Sequence, residues 1–147
     1  MTYKEFQIIF SSELEIKKIA AEEAIDIRHR VMWPDRPRRD VILADDMKAL
    51  HFGAFKNGQL VAVGSFFNDS GVVRLRKLAV EHEHQGNGIA SNLLHTAIEV
   101  LRREGCTRIW CDARVSASEF YLRNGFSLDA RVFQKRGKDY VVANRAL

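Results

Sequence analysis

Val72-Val73-Arg74-Leu75-Arg76-Lys77-Leu78-Ala79-Val80, then Glu81-His82-Glu83-His84, then Gln85-Gly86-Asn87-Gly88-Ile89-Ala90, is the stretch that decides the architecture of this 147-residue chain. The first nine residues are apolar and β-branched enough to predict a strand. A glycine-containing turn follows the polar segment, and a helix opens directly from it. Ile89, Leu93, Leu94, Ala97, Ile98 and Leu101 recur at helical spacing, the stripe of an amphipathic helix packed on a sheet. Gly105 stops that helix. A strand, a glycine turn and a helix start in series aim several free backbone N–H groups at one point. Such a nest suits an oligophosphate and predicts a phosphate-bearing cofactor.

Downstream, Arg108-Ile109-Trp110-Cys111-Asp112-Ala113 reads as a further strand. Strand, helix, strand is a crossover unit, so the two strands should be parallel neighbours. A short helix is expected at Ser118–Arg123, stopped by Asn124-Gly125, with two last strands around Arg136-Gly137-Lys138-Asp139. Upstream, His51–Phe55 and Leu60–Phe67 flank Asn57-Gly58, a strong two-residue hairpin signal. Asp69-Ser70-Gly71 then turns the chain into Val72–Val80, completing an antiparallel meander. Leu14, Ile16 and Ile19 suggest a first strand, and the N-terminal dozen residues are ambiguous. Ala24, Ile27 and Val31 predict a helix over about Ala21–Met32, ended by Pro34 and Pro37 ahead of an irregular basic loop. The expected fold is α/β, a mixed sheet of six or seven strands with helices on both faces, in a single domain spanning 1–147.

Composition agrees with one soluble globular domain: 46% hydrophobic and 29% charged. No apolar run reaches the ~18 residues of a membrane span. Met1-Thr2-Tyr3-Lys4-Glu5 lacks the apolar region of a signal peptide, so a cytoplasmic location is expected. Cys106 and Cys111 fit no zinc spacing and are expected to be reduced and partly buried. The net charge is +4, with one dense patch at Arg28, Arg30, Arg36, Arg38 and Arg39, interrupted by Asp35 and Asp40. No aromatic-interleaved basic stripe accompanies it, so no nucleic-acid partner is expected. His82 and His84 lack further metal ligands and are read as solvent-exposed; no metal is expected. His95 is placed on the surface and Trp110 in the core.

The order of these motifs resembles the GNAT superfamily of acyl-CoA-dependent N-acetyltransferases. Three signatures carry the resemblance: the strand end Leu78-Ala79-Val80; Gln85-Gly86-Asn87-Gly88-Ile89-Ala90, matching Gln/Arg-x-x-Gly-x-Gly/Ala; and Phe120-Tyr121-Leu122-Arg123-Asn124-Gly125-Phe126, matching aromatic-Tyr-x-x-x-Gly-Phe. It covers residues 50–145 well and the N-terminal part loosely. A dinucleotide-binding fold would want a third glycine at the start of a parallel sheet, whereas here a meander precedes the turn. A Walker A loop needs Gly-Lys-Ser/Thr, which is absent.

The resemblance implies acetyl transfer from acetyl-CoA to an amine acceptor. Gln85, Gly86, Asn87, Gly88, Ile89 and Ala90 would bind the pyrophosphate through main-chain N–H groups, with Gly86 and Gly88 allowing close approach. The plain alternative is a helix-start turn. Leu78, Ala79 and Val80 would pair with the pantetheine arm, and a backbone N–H near Leu78, where the family's paired strands splay apart, would meet the oxyanion. Tyr121 would protonate the leaving thiolate; packing alone is the competing reading. Arg114 stands where the family often has Asn against pantetheine, so its contact with the cofactor takes another form.

Some members carry a His or Glu base on the strand before the turn, but the matching positions here are Arg74 and Arg76, which cannot give up a proton. His51, His29 and Asp112 are the other candidates, alongside a water chain or capture of neutral amine. Trp33-Pro34-Asp35-Arg36-Pro37 is either a wall of the acceptor pocket or a capped loop. The competing functions are a non-catalytic acyl-CoA-binding or sensing domain and, through the arginine patch, a nucleic-acid-binding protein. Family precedent makes a homodimer reasonable.

Overall fold

Three two-residue turns, each ending in glycine, set most of the sheet. Asn57-Gly58, Ser70-Gly71 and Arg136-Gly137 all place both residues at positive φ, the twist that matches a right-handed hairpin. The computed structural model describes residues 14–147; the ambiguous N-terminal dozen lies outside them. The elements are β1 (Leu14–Ile19), α1 (Ala21–Met32), β2 (Leu50–Lys56), β3 (Gln59–Asp69), β4 (Val72–Val80), α2 (Ile89–Arg103), β5 (Arg108–Arg114), α3 (Ser118–Arg123), β6 (Ser127–Lys135) and β7 (Lys138–Ala146). They form one sheet ordered β1-β2-β3-β4-β5-β7-β6. β1 to β4 are an antiparallel meander, β4 and β5 are parallel, and β7 runs antiparallel between β5 and β6.

Each face of the sheet carries its own core. The stripe read from the sequence, Ile89, Leu93, Leu94, Ala97, Ile98 and Leu101, is buried against Phe52, Phe66, Val73 and Leu75. On the opposite face Ala24 and Ile27 of α1 pack on Val63 and Ala79. α1 starts with the Glu23 carboxylate accepting from the Ala20 N–H at 3.1 Å. It ends at Met32, one residue before Trp33-Pro34, because the residue preceding proline is driven out of the helical region.

Two irregularities shape the middle of the sheet. Ser65 pairs with Arg76 and Val63 with Ala79, so Gly64 alone faces both Lys77 and Leu78. This bulge puts Lys77 at φ 58, a left-handed conformation rare outside glycine. A Cβ on Gly64 would come within 3.0 Å of a Leu93 methyl and 3.3 Å of a Leu78 methyl, so the bulge closes tightly under α2. Second, β4 and β5 pair only at Val72↔Arg108, Val73↔Ile109 and Arg74↔Trp110, after which the strands splay. β5 continues instead against β7 as far as Arg114↔Tyr140.

A buried polar network fixes the loop between α1 and β2. Arg28 is fully buried and uses four of its five N–H donors. They go to the Val41 carbonyl (2.7 Å), both Asp46 carboxylate oxygens (2.8 and 3.0 Å) and the Ser65 hydroxyl (2.9 Å); Nε alone has no partner. His51 Nε2 lies 2.7 Å from the Asp46 carbonyl, which can only accept. Nε2 therefore carries the proton, and Nδ1 accepts from the Ser65 hydroxyl at 2.8 Å. Burial pushes the Asp46 carboxyl up, but the hydrogen bonds from Arg28 and the Leu43 amide outweigh it and hold it below its ordinary 3.8.

Arg28→Met strands the Asp46 carboxylate in the core and should cost about 3–5 kcal/mol in urea unfolding. Because the folded Asp46 carboxyl titrates lower than the unfolded one, its contribution is complete above about pH 4 and is lost as the pH falls further. Asp46→Asn should remove that acid-dependent part of the unfolding curve.

Candidate active site

The turn from β4 to α2 has the geometry of an anion cradle. Gly86 and Gly88 sit at φ 80 and 75, where an L side chain is strained, and open space surrounds the point where each Cβ would stand. The α2 start has no side-chain cap and no acidic residue in its first turn. Its first intrahelical bond runs from Asn92 N–H to the Gly88 carbonyl at 3.0 Å, so the N–H groups of Ile89, Ala90 and Ser91 precede the ladder. Their partial positive charge is unopposed. Gln85 Nε2 donates to the Val80 carbonyl at 3.0 Å, tying the turn to the end of β4. Gln85 to Gly88 are exposed, Ile89 is buried and Ala90 is half-buried. Exposed N–H groups, glycines and uncompensated helix charge fit a diphosphate.

The cradle opens beside the splay. Leu78, Ala79 and Val80 form the end of β4, beyond the last residue paired with β5. Leu78 stands in the bulge, the kind of irregularity that takes a residue out of the regular ladder. Across the splay lies β5, ending in Arg114, which is exposed.

Tyr121 comes to the same region from α3. It is buried, with its ring edge-on to Phe120 (5.0 Å) and Phe126 (5.3 Å). Burial, reinforced by the neighbouring Cys111, raises the phenol above its ordinary value of 10.0. Tyr121 is thus a protonated donor throughout the neutral range. The Cys111 thiol is itself pushed up by burial to about 11, and burial raises Cys106 as well. Both cysteines are free and fully buried. Asn124, which the sequence offered only as a helix stop, joins the parts: its Nδ2 donates to Ser91 Oγ in the first turn of α2 (3.2 Å) and to the Phe120 carbonyl (2.8 Å). The tyrosine helix and the anion cradle are thereby held together.

The candidate bases are otherwise engaged. His51 spends both ring nitrogens in the core network. His29 Nε2 lies 2.6 Å from the Arg36 carbonyl and fastens the loop after α1. Asp112 Oδ2 accepts from Arg74 (3.0 Å) and Lys135 (3.4 Å). Trp110 is a correction to the sequence reading: it is half-buried and outside both cores, lying under the Arg74 guanidinium at 4.7 Å on the α1 side of the sheet.

The arginine patch is also divided. Arg28 is in the core, Arg30 pairs with Glu81 (2.7 Å), and Arg38 pairs with Glu22 and Asp26 (2.7 and 2.8 Å). His82 is exposed, as expected, whereas His84 is half-buried; its ring lies with the Glu81 and Glu83 carboxylates within 4.8 Å, although Glu81 already pairs with Arg30. What the sequence did not single out is Lys77. Its ammonium lies 4.7 Å from the centre of the Trp33 ring, and burial, then Arg76 and Arg136, lower its pKa to about 8. Only the register opposite Gly64 marks it, and register emerges on pairing.

The acetyltransferase (GNAT) family profile matches residues 15–126. YitI of Bacillus subtilis (strain 168), an uncharacterized N-acetyltransferase, is 27% identical over 122 residues, covering 77% of this chain and 82% of that protein. The ribosomal-protein-S18-alanine N-acetyltransferase of Escherichia coli superposes with a TM-score of 0.75 at 18% identity, over 90% of this chain and 93% of that one. The PaiA N-acetyltransferase of Thermoplasma acidophilum, solved in complex with coenzyme A, gives 0.64 at 17% identity, over 91% and 99%. At these identities the two superpositions speak for the fold, and the family profile, which spans most of the chain, speaks for kinship. The chain belongs to the acetyltransferase (GNAT) family and is an acyltransferase.

Proposed function

We propose that the protein transfers an acetyl group from acetyl-CoA to a primary amine by direct attack within a ternary complex. The observation that carries this reading is the uncapped α2 start behind Gly86 and Gly88, set at the mouth of the β4–β5 splay. Main-chain N–H groups from Gly86 to Ala90 hold the diphosphate; the Gln85 N–H is instead spent on the His82 carbonyl at 3.2 Å. The freed edge of Leu78, Ala79 and Val80 pairs with the pantetheine arm as a further strand would, and exposed Arg114 meets it from β5.

The amine nitrogen attacks the thioester carbon, the N–C bond forms, and negative charge develops on the carbonyl oxygen. The Leu78 N–H receives that charge, a contact of a kind worth about 10²–10³ in rate. As the C–S bond breaks, Tyr121 donates its proton to the departing sulfur and regains one from solvent. The proton on the attacking nitrogen leaves through water. Every imidazole and carboxylate weighed as a base is committed elsewhere, so the amine enters in its neutral form. A Cys111 thiol titrating near 11 is protonated at neutral pH and unsuited to an acyl-enzyme route.

No helix among the described residues is long and apolar enough to cross a membrane; a cytoplasmic setting is part of the proposal. β6 lies at the edge of the sheet with Val132 exposed, the place where a second subunit would pair.

The test is release of free CoA thiol with a broad panel of amines; a folded protein that releases none with any amine would favour the acyl-CoA-binding alternative. Tyr121→Phe should lower kcat by about 10² or more with KM for acetyl-CoA little changed. For the unaltered enzyme, kcat/KM should rise with pH as the amine loses its proton. No descending limb should arise from Tyr121 below about pH 10, because its phenol titrates above the ordinary value. Cys111→Ser should keep turnover within about threefold, as expected for a thiol outside the bond-making sequence.

A further inference from the structure

Positive charge accumulates at one point on the α1 side of β4. The centre of the Trp33 ring has the Lys77 ammonium at 4.7 Å, the Arg136 guanidinium at 5.5 Å and the Arg36 guanidinium at 5.9 Å. These cations come from three separate segments: the β4 bulge, the β6–β7 turn and the loop after α1. Half-buried Arg76 adjoins them on the strand. Several neighbouring cations are matched, Arg28 by Asp46, Arg30 by Glu81, Arg38 by Glu22 and Asp26, Arg74 by Asp112. Among the described residues, Arg36, Arg76, Lys77 and Arg136 meet no carboxylate within ion-pair distance.

This arrangement is opposed on two counts. Burial, followed by repulsion from Arg76, Arg136, Arg28 and Lys135, depresses Lys77, and burial and Arg74 depress Arg76. The left-handed backbone at Lys77 adds a conformational cost. An anion held between these groups offsets the first penalty, and the bulge is what aims Lys77 at Trp33.

We propose that the acceptor amine also carries a carboxylate or phosphate group, which Lys77, Arg76 and Arg136 receive beside the Trp33 ring. This deepens the acetyl-transfer reading and rests on it. Lys77 directly precedes Leu78, so an acid held here leaves the acceptor's amine within reach of the thioester. The same cations disfavour an ammonium nearby, which lowers the amine's pKa and eases its deprotonation where no side-chain base serves. Polyamines without an acidic group are excluded as preferred acceptors.

The experiment compares matched acceptors by CoA thiol release: glycine against glycinamide, phosphoethanolamine against ethanolamine, with spermidine as the cationic control. The acidic member of at least one pair should show kcat/KM about tenfold or more above its neutral partner, and the pair that responds separates carboxylate from phosphate. Lys77→Asn and Arg136→Asn, chosen because asparagine tolerates the left-handed backbone both residues adopt, should abolish the preference while CoA still binds. Neutral or cationic amines used equally well or better would overturn the proposal.

If no panel member turns over, acetate and inorganic phosphate are titrated with CoA saturating, so that the glycine turn is filled. The readout is the Trp33 indole N–H resonance, identified by its survival in Trp110→Phe. A saturable shift weakened about tenfold in either asparagine variant supports the proposal, and no saturable shift refutes it. Failure of CoA itself to bind the wild-type protein would instead mark failure of the underlying acetyl-transfer reading.

Discussion

The parting of β4 from β5 after only three paired residues is the constraint on which the rest of the molecule depends. Beyond Arg74 and Trp110, β5 keeps its hydrogen bonds to β7 but no longer shares any with β4. A parallel pair buried between helices would ordinarily run on, because unmatched backbone groups are costly away from water. Here the end of β4 instead offers its edge at the point where the chain turns through Gly86 and Gly88 into α2. An extended, amide-bearing arm and a diphosphate are what such a strand edge and such a helix start can satisfy together. In the proposed reading, acyl transfer depends on that junction more than on any single acidic or basic side chain.

The two faces of the sheet then take different tasks. On the α2 face an apolar core holds the helix whose first turn forms the cradle, and Asn124 ties that turn to the helix bearing Tyr121. On the α1 face the core is small and much of the cohesion is polar. Arg28 reaches from α1 to Asp46, Val41 and Ser65, and His51 closes the circuit. That network holds the long loop after α1 against the sheet. The loop carries Trp33 and Arg36 toward the β4 bulge, so a structural network on one side of α1 supports a charged surface on the other.

The elements themselves were legible because each has a local cause. The stripe from Ile89 to Leu101 marks α2, three X-Gly turns mark the hairpins, and Pro34 and Gly105 mark helix ends. The crossover rule made β4 and β5 parallel neighbours. Side-chain partnerships were less legible, since they depend on register and on residues far apart in the chain. Five arginines between positions 28 and 39 look like one patch when written in a row; folded, Arg28 is in the core and two others are paired. His51 and Asp112 have the chemistry of a base but are bound to partners that no spacing reveals. Trp110 looked like core because it lies in a central strand, yet it is half-buried under Arg74 on the α1 side of the sheet. Lys77 passed unnoticed because its left-handed backbone arises only when Gly64 is set opposite two residues.

The most direct test of the central claim is calorimetry of CoA against pantetheine with the folded wild-type protein and with Gly88→Val. If residues 85–90 cradle the diphosphate, CoA binds one to one, pantetheine binds at least about tenfold more weakly, and the valine variant loses that difference. Equal affinity for the two ligands, or no heat with CoA from a protein shown to be folded, would contradict the account.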